Sequence, residues 1–290
     1  MSPPTSPVVA AWELALRLRE RRRRLGIEVK KITQELDFSR NYWSAIENER
    51  KILSEESLRK IITLFEFDDS EGRELLDLRA AAKERGWWSA YPKLLDHEVQ
   101  RMLGFEDGAQ EIRGYESLLI PGLLQTREYA RAVIETAVVV RPVEVEQRVD
   151  IRMRRQERLY GENSLQLMAI ISEASLRQQI GGVDVLRAQL EHLEKMSLEH
   201  RGNIHIRVIP FSAKSCGLFG APTVHLIDFD NPRLPTLAWQ ESVSTFSILD
   251  DPAQVRDITV TYTDAQKQAL SEDQTLGLIR QCIRDLVPPG

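Results

Sequence analysis

The chain has 290 residues, of which 42% are hydrophobic and 29% are charged, and its formal net charge is −5. This length and apolar content predict about two domains, each with its own hydrophobic core. The acidic balance excludes a protein that coats nucleic acid nonspecifically, because such proteins are basic overall. The two cysteines, Cys216 and Cys282, match neither a secreted disulfide framework nor a zinc-finger spacing.

Targeting and cofactor signals are absent from the sequence. No apolar run approaches the roughly 20 residues that span a membrane, and the N-terminus lacks the pattern of a signal peptide. We therefore expect a cytoplasmic protein without a membrane partner. The five histidines have no metal-ligand spacing, so we expect no metal and no other cofactor. No arrangement of nucleophile and base is recognisable, so we do not expect an enzyme.

The N-terminal third is predicted to be helical. Residues 1–10 are rich in Pro and Ser and are predicted to be disordered. Residues 11–84 are predicted to form a compact domain of five helices, with Ser39 and Ser54 as N-caps. The helical patterns cover residues 12–25, 28–36, 40–48, 54–65 and 70–84. Between residues 12 and 60, 13 Lys and Arg accompany 9 Asp and Glu, so this stretch carries +4 and the rest carries −9.

The run GIEVKKITQELDFSRNYWSAIENER, residues 26–50, predicts two short helices joined by a tight turn. This is the layout of a helix-turn-helix, in which the second helix enters the DNA major groove. Arg40 and Asn41 occupy the first turn of that helix, where Arg can pair with guanine and Asn with adenine. Ser44 and Ala45 lie one turn further on and are also predicted to contact bases.

The flanking residues are predicted to position the helix on DNA. Backbone phosphate contacts are expected from five of them: Ser39, Lys30, Lys31, Asn48 and Arg50. Trp43 and Ile46 are spaced i, i+3 and are predicted to face the core. The alternative is that the helical hairpin is an interaction module and that its basic face is only solvated.

Residues 17–65 resemble the Xre, or lambda-repressor-like, helix-turn-helix. The resemblance rests on LGI at 25–27, on the pattern from 39 to 48 that ends in I-E-N, and on the R-K that follows. It implies that Arg22 pairs with Glu47, which makes Glu47 structural. The family often has Gln where this chain has Val29, and this difference removes one backbone contact. The family usually has Gly in the turn where this chain has Asp37, and Asp tolerates the left-handed conformation.

Residues 85–290 are predicted to form an α+β domain in which helices surround a small sheet. The fold class is therefore mostly α with an α+β second domain. The strand patterns cover residues 165–171, 204–209, 222–229 and 235–242. The helical patterns cover residues 96–105, 126–136, 142–160, 173–179, 183–200, 252–262 and 264–286.

Two features of this domain are candidates for binding. Four apolar or aromatic residues are predicted to form either core or a groove for a ligand or partner: Tyr115, Leu123, Leu124 and Tyr129. Arg155 belongs to a basic cluster at 152–158 that is predicted either to bind an anionic partner or to form a solvated helix face with internal ion pairs.

Four segments of the second domain resemble a class of actinobacterial regulators described as WhiJ-like or antitoxin-like. They are IPGLLQTREYARAVI at 120–134, RMRRQERL at 152–159, ISEASLRQQIGG at 171–182 and IRVIPF at 206–211. The resemblance implies a transcriptional regulator whose gene often neighbours one for a small companion protein that binds it.

These patterns together predict a sequence-specific regulator that binds double-stranded DNA as a homodimer and is nucleoid-associated when bound. A dimer is expected because one helix-turn-helix reads few bases. The second domain would then supply dimerisation and partner or signal binding. The alternative is an antitoxin-like module that sequesters a small companion protein, with DNA binding secondary.

Overall fold

A computed structural model describes residues 6–241 and 246–286 of the chain. The chain divides into two compact units, Met1–Ala90 and Tyr91–Gly290. The first unit is all-α, and the second contains a six-stranded sheet with helices. The predicted fold class, mostly α with an α+β second domain, is confirmed.

The first unit contains five α-helices followed by a short 3₁₀ helix. They are α1 (Pro7–Arg24), α2 (Val29–Leu36), α3 (Arg40–Glu47), α4 (Glu55–Leu64), α5 (Asp69–Ala82) and the 3₁₀ helix Trp87–Ala90. Proline suits the first position of α1, because its fixed φ is helical and its missing N–H would have no partner there. The prediction that residues 1–10 are disordered is wrong for 7–10, where Val9 and Ala10 are buried, and residues 1–5 lie outside the described residues.

Side-chain caps define where the later helices begin. The hydroxyl of Ser39 accepts a hydrogen bond from the Tyr42 amide, and that of Ser54 accepts one from the Ser57 amide, both at 3.1 Å. Both predicted N-caps are confirmed. Asp68 begins α5 with a capping box, in which its carboxylate and that of Glu71 each accept an amide hydrogen bond.

The core of the first unit is built from the inner faces of all five helices. Trp43 lies at its centre and packs edge-on against Phe65, with ring centroids 6.1 Å apart. The buried residues that make up this core are Leu14, Leu18, Ile32, Trp43, Ile46, Leu53, Leu58, Ile61, Phe65 and Leu75.

The second unit contains one mixed sheet with the strand order β3-β2-β1-β4-β5-β6. Strands β1, β2 and β3 are parallel, and β4, β5 and β6 continue the sheet as antiparallel strands. The strands are β1 (Glu111–Glu116), β2 (Gln166–Ser172), β3 (Ile204–Ile209), β4 (Thr223–Asp228), β5 (Leu237–Glu241) and β6 (Phe246–Leu249). Parallel neighbours need crossover connections, and helices supply them between β1 and β2 and between β2 and β3.

Seven α-helices and three further 3₁₀ helices are described in the second unit. The α-helices are α6 (His97–Asp107), α7 (Arg127–Thr136), α8 (Val145–Gln156), α9 (Glu173–Arg177), α10 (Val183–Glu199), α11 (Pro252–Gln268) and α12 (Glu272–Asp285). The 3₁₀ helices are Gly122–Leu124, Pro142–Glu144 and Glu157–Leu159. One core cluster joins Tyr115 and Ile170 of the sheet to Tyr262 of α11.

The sequence patterns missed two strands and misplaced the boundary between the last two helices. Strand β1 lies between β2 and β4 in the sheet but was not predicted, and neither was the edge strand β6. The predicted break before 264 is wrong, because α11 continues through Ala265 into the core and ends at Gln268. Ser271 then caps α12. Ser242, the last residue of the predicted strand 235–242, lies outside the described residues.

Candidate nucleic-acid interface

A tight turn of three residues sets the angle between α2 and α3. Asp37 ends α2 in the left-handed conformation, with φ 53° and ψ 42°. The Phe38 amide donates to the Thr33 carbonyl at 3.1 Å, which satisfies one of the last carbonyls of α2. Ser39 is extended and caps α3, so the predicted use of Asp37 in place of a turn glycine is confirmed.

Helix α3 has one buried face. Trp43 is fully buried, and Ile46 is 3% exposed. Both side chains belong to the core of the first unit, as their i, i+3 spacing predicts. Burial of these two side chains fixes the rotation of α3 about its own axis.

The opposite face of α3 is open to solvent. Arg40, Asn41 and Ser44 are exposed, and Ala45 is partly exposed. Arg40 makes no hydrogen bond or ion pair with any described residue. The four residues predicted to contact bases therefore lie on one surface, and their side chains are short or unpaired.

Glu47 is removed from this surface by an ion pair. The Nε atom of Arg22 donates to its Oε1 at 2.7 Å, and both side chains are mostly buried. Arg22 also donates to the Ile27 carbonyl at 3.3 Å. This is the pair that the family resemblance implies, and it ties α1 to α3 while it neutralises a carboxylate near the exposed face.

The other flanking residues lie on α2 and at the C-terminal end of α3. The side-chain amide of Asn48 donates to the Ser44 carbonyl at 2.7 Å, so it is partly engaged within the helix end. Lys30, Lys31 and Arg50 are exposed. The Lys51 ammonium lies over the Tyr42 ring at 5.1 Å from its centroid, a cation–π contact that the sequence analysis missed.

The arginine run of α1 is mainly structural on its inner side. Arg21 donates to the Phe65 and Glu66 carbonyls and to the Glu71 carboxylate. Arg17 pairs with Glu74 at 3.0 Å. These contacts bind α1 to the loop after α4 and to α5, so the number of arginines in α1 is not evidence for a nucleic-acid surface.

The basic cluster at 152–158 is paired mainly with groups inside the second unit. The Nε and one terminal nitrogen of Arg155 donate to the two carboxylate oxygens of Glu106, both at 2.7 Å. Burial works to lower the pKa of Arg155, but the charge and hydrogen bonds of Glu106 raise it. Arg158 donates to the Ala109 and Asn163 carbonyls, and Arg154 pairs with Glu157. Internal pairing is the alternative that these contacts support.

The residues predicted to form either core or a groove are buried, which favours the core alternative. Tyr115, Leu123, Leu124 and Tyr129 are each at most 5% exposed. Tyr115 packs against Ile170 and Tyr262 in one cluster that contains none of the other three. Arg155 donates from Nε and from one terminal nitrogen to Glu106. The apolar area of the four apolar or aromatic side chains is already removed from water.

Polar residues of the PGLLQT motif hold this core together. Gln125 is buried, and its amide donates to the Ile120 carbonyl while its oxygen accepts from Arg152 at 2.9 Å. Gln189 of α10 accepts from the Thr126 amide and donates to the Leu124 carbonyl, both at 2.7 Å. A Cβ at Gly122 would lie 3.0 Å from the Arg152 guanidinium, so glycine permits this approach. Burial lowers the pKa of Arg152 to about 10.

The exposed α3 face, the capped turn and the Arg22–Glu47 pair define a helix-turn-helix protein. Residues 13–76 match the family described as Helix-turn-helix domain, the class of domain found in DNA-binding regulators. Residues 99–281 match the family described as Domain of unknown function (DUF5753). This second match covers more than half of the chain, so the chain belongs to the DUF5753 family.

No curated protein and no solved structure matches the chain. Among residues 6–241 and 246–286, no helix combines the length and the apolar character that a membrane crossing requires. The same residues contain no cluster of three or more His, Cys, Asp and Glu side chains that is arranged to hold a metal ion.

Proposed function

We propose that this chain is a sequence-specific DNA-binding transcriptional regulator that reads the major groove with α3. The observation that carries the proposal is the exposed, unpaired Arg40 beside Asn41 on a helix whose opposite face is anchored by Trp43. Arg40 would pair with a guanine and Asn41 with an adenine, while Ser44 and Ala45 contact neighbouring base edges.

The remaining contacts would be to phosphates and would not depend on sequence. Lys30, Lys31 and Arg50 are exposed cations near α3, and the Ser39 hydroxyl and Asn48 amide lie at its two ends. Such contacts set register and orientation, and their number sets the salt dependence of affinity. Val29 supplies no polar contact, so we expect a modest number of phosphate contacts.

We propose that the active form is a homodimer with its contacts in the second unit. A single recognition helix of eight residues contacts only a few base pairs, and two copies on a two-fold symmetric site multiply the discrimination. The second unit then has a regulatory role rather than an enzymatic one. Sedimentation analysis of the full chain tests the dimer, and a monomer at micromolar concentration would contradict it.

The test of DNA recognition begins with selection of binding sites from a random duplex library by the full chain. Arg40→Ala should weaken binding to the selected site by about 1–3 kcal/mol and relax the base preference at one base pair. Lys30→Ala should weaken binding to all duplex sequences similarly. It should also reduce the slope of log affinity against log salt concentration by about 1. If no sequence is enriched, or if Arg40→Ala retains the full preference, the proposed base contacts are wrong.

A second candidate function is binding of a small companion protein by the second unit. The loop between α7 and α8 exposes Val138, Val139 and Val143, of which Val138 is fully exposed. Exposed apolar clusters are typical of protein interfaces. Co-expression with the product of a neighbouring small gene, with Val139→Asp as the comparison, tests it. Failure of the two proteins to co-purify, or an undiminished complex with Val139→Asp, would exclude this interface.

A further inference from the structure

The second unit contains a cavity of about 400 Å³ that none of the DNA-binding residues touches. Its walls come from β2, β3, α11, the start of α12 and the loop before β3. The residues that matter for its chemistry are Met168, Arg201, His205, Arg207, Tyr262 and Gln266. This volume lies in the range of sites that hold small organic molecules.

Arg207 is a guanidinium fixed in place without a carboxylate. Its Nε donates to the Leu270 carbonyl and one terminal nitrogen donates to the Ala269 carbonyl, both at 2.8 Å. Among the described residues it has no ion pair, and its other terminal nitrogen has no acceptor. The side chain is partly buried, so its charge is less screened than that of a surface arginine. A fixed guanidinium without an ion pair at a cavity wall favours an anion, and a carboxylate matches its planar fork.

Other polar groups around the cavity limit the charge of the ligand. The Gln266 amide makes no hydrogen bond to a described residue and is available as a donor. Glu272 and Asp273 also line the cavity, where Glu272 is 2.9 Å from His205 Nδ1 and Asp273 is 3.9 Å from Arg201. These two carboxylates repel a doubly charged phosphate more strongly than a single carboxylate.

The rest of the lining is suited to an apolar body. Met168, Ala169 and Ile170 of β2 contribute to the wall, and Tyr262 faces them from α11. Burial raises the pKa of Tyr262, so its hydroxyl stays neutral and donates to the Met168 carbonyl at 2.8 Å. Methionine and tyrosine give an adaptable apolar surface next to the guanidinium.

We propose that this cavity binds a small organic acid that carries one carboxylate and an apolar body. The carboxylate accepts hydrogen bonds from Arg207 and Gln266, and the apolar body packs against Met168 and Tyr262. The proposal does not depend on DNA binding, because the cavity lies within the second unit and the ligand is measured without DNA.

Three probes of eight carbons each separate the contributions of charge and of apolar contact. Octanoate carries one negative charge, octanol carries none and octyl phosphate carries up to two. Calorimetric titration of the full chain should give saturable binding of octanoate at millimolar concentration. Octanol should bind at least about tenfold more weakly, because a hydrogen bond between charged groups is lost. Octyl phosphate should also bind more weakly than octanoate.

Two variants locate the binding in the cavity. Arg207→Gln should weaken octanoate binding by at least about tenfold. The matched control is Arg256→Gln, at an exposed arginine of α11, and it should leave octanoate binding unchanged. Arg207 also supports the turn between α11 and α12, so Met168→Trp is the second variant. It fills the cavity without removing a member of any ion pair and should abolish binding, with folding checked by circular dichroism.

Several results would overturn the proposal. One is equal affinity for octanol and octanoate, which would mean that the guanidinium is not used. Another is unchanged octanoate binding in folded Met168→Trp, which would place the ligand elsewhere. A wild-type chain that shows no saturable binding of octanoate at millimolar concentration would also overturn it.

Discussion

Two arginine-bearing helices of this chain have opposite structural roles. On α3, Arg40 is exposed and has no partner among the described residues. On α8, Arg155 donates from Nε and from one terminal nitrogen to Glu106, and Arg154 pairs with Glu157. The N–H donors of Arg40 are all available, whereas Arg155 is mostly buried and two of its nitrogens are held by Glu106.

The difference teaches that arginine density does not locate a nucleic-acid surface. A guanidinium has five N–H donors, and each donor held by a carboxylate or carbonyl is lost to phosphate or base. The α1 run follows the same rule, since Arg17, Arg21 and Arg22 all bind groups of the first unit. Recognition is therefore expected where the partners are missing, and four experiments test this comparison.

The largest expected effect concerns the residue that holds the α3 face outward. Trp43→Ala should destabilise the first unit by about 3–5 kcal/mol, because a fully buried indole is replaced by a cavity. Hydrogen exchange of the α1–α5 amides measures the loss locally. The control is Leu25→Ala at a position that is 38% exposed, which should cost less than about 1 kcal/mol. Equal effects of the two variants would contradict the anchoring role of Trp43.

The next effect tests whether the α8 cluster is structural. Glu106→Gln leaves Arg155 buried without its charge partner and should destabilise the second unit by about 3 kcal/mol. Glu157→Gln removes an exposed partner of Arg154 and should cost less than about 1 kcal/mol. Hydrogen exchange of α6, α8 and β1 amides compares the two variants. If Glu106→Gln destabilises the second unit by less than about 1 kcal/mol, the ion pair between Arg155 and Glu106 does not stabilise the fold.

The candidate DNA surface was predictable because its determinants are local. Ser39 caps the helix that starts at the next residue, Asp37 supports the left-handed turn, and Trp43 and Ile46 are three residues apart. Each signal acts within one turn of helix, so the pattern alone specifies which face is buried. The exposure of Arg40 and Asn41 follows directly.

The second unit was less predictable because its determinants are remote in sequence. Strand β1 reads EIRGYE and lacks a clean apolar alternation, and its pairing partners lie more than 50 residues away in β2 and β4. The Glu106–Arg155 pair spans 49 residues. No local pattern reports such contacts, so the sequence left Arg155 between partner binding and internal ion pairing, and the cavity beside Arg207 was missed.

A smaller effect compares two equivalent caps. Ser39→Ala and Ser54→Ala each remove one side-chain acceptor at a helix start and should each destabilise the first unit by about 1 kcal/mol. Ser39 begins α3, so only Ser39→Ala should also weaken DNA binding. Urea denaturation measures the change in stability, and binding to the selected duplex measures the change in DNA affinity. If both variants reduce DNA affinity equally, the effect follows from stability and not from the position of α3.

The smallest expected effect is that of Arg154→Ala. This side chain is half-exposed and its pair with Glu157 is a surface contact, so stability should change by less than about 1 kcal/mol. Because Arg154 has no role at the α3 surface, the affinity for the selected duplex should not change, whereas Arg40→Ala should lower affinity and leave stability unchanged. The same urea and binding measurements apply. An affinity loss in Arg154→Ala equal to that of Arg40→Ala would show that paired arginines of α8 also contact DNA, and the distinction between the two helices would then be wrong.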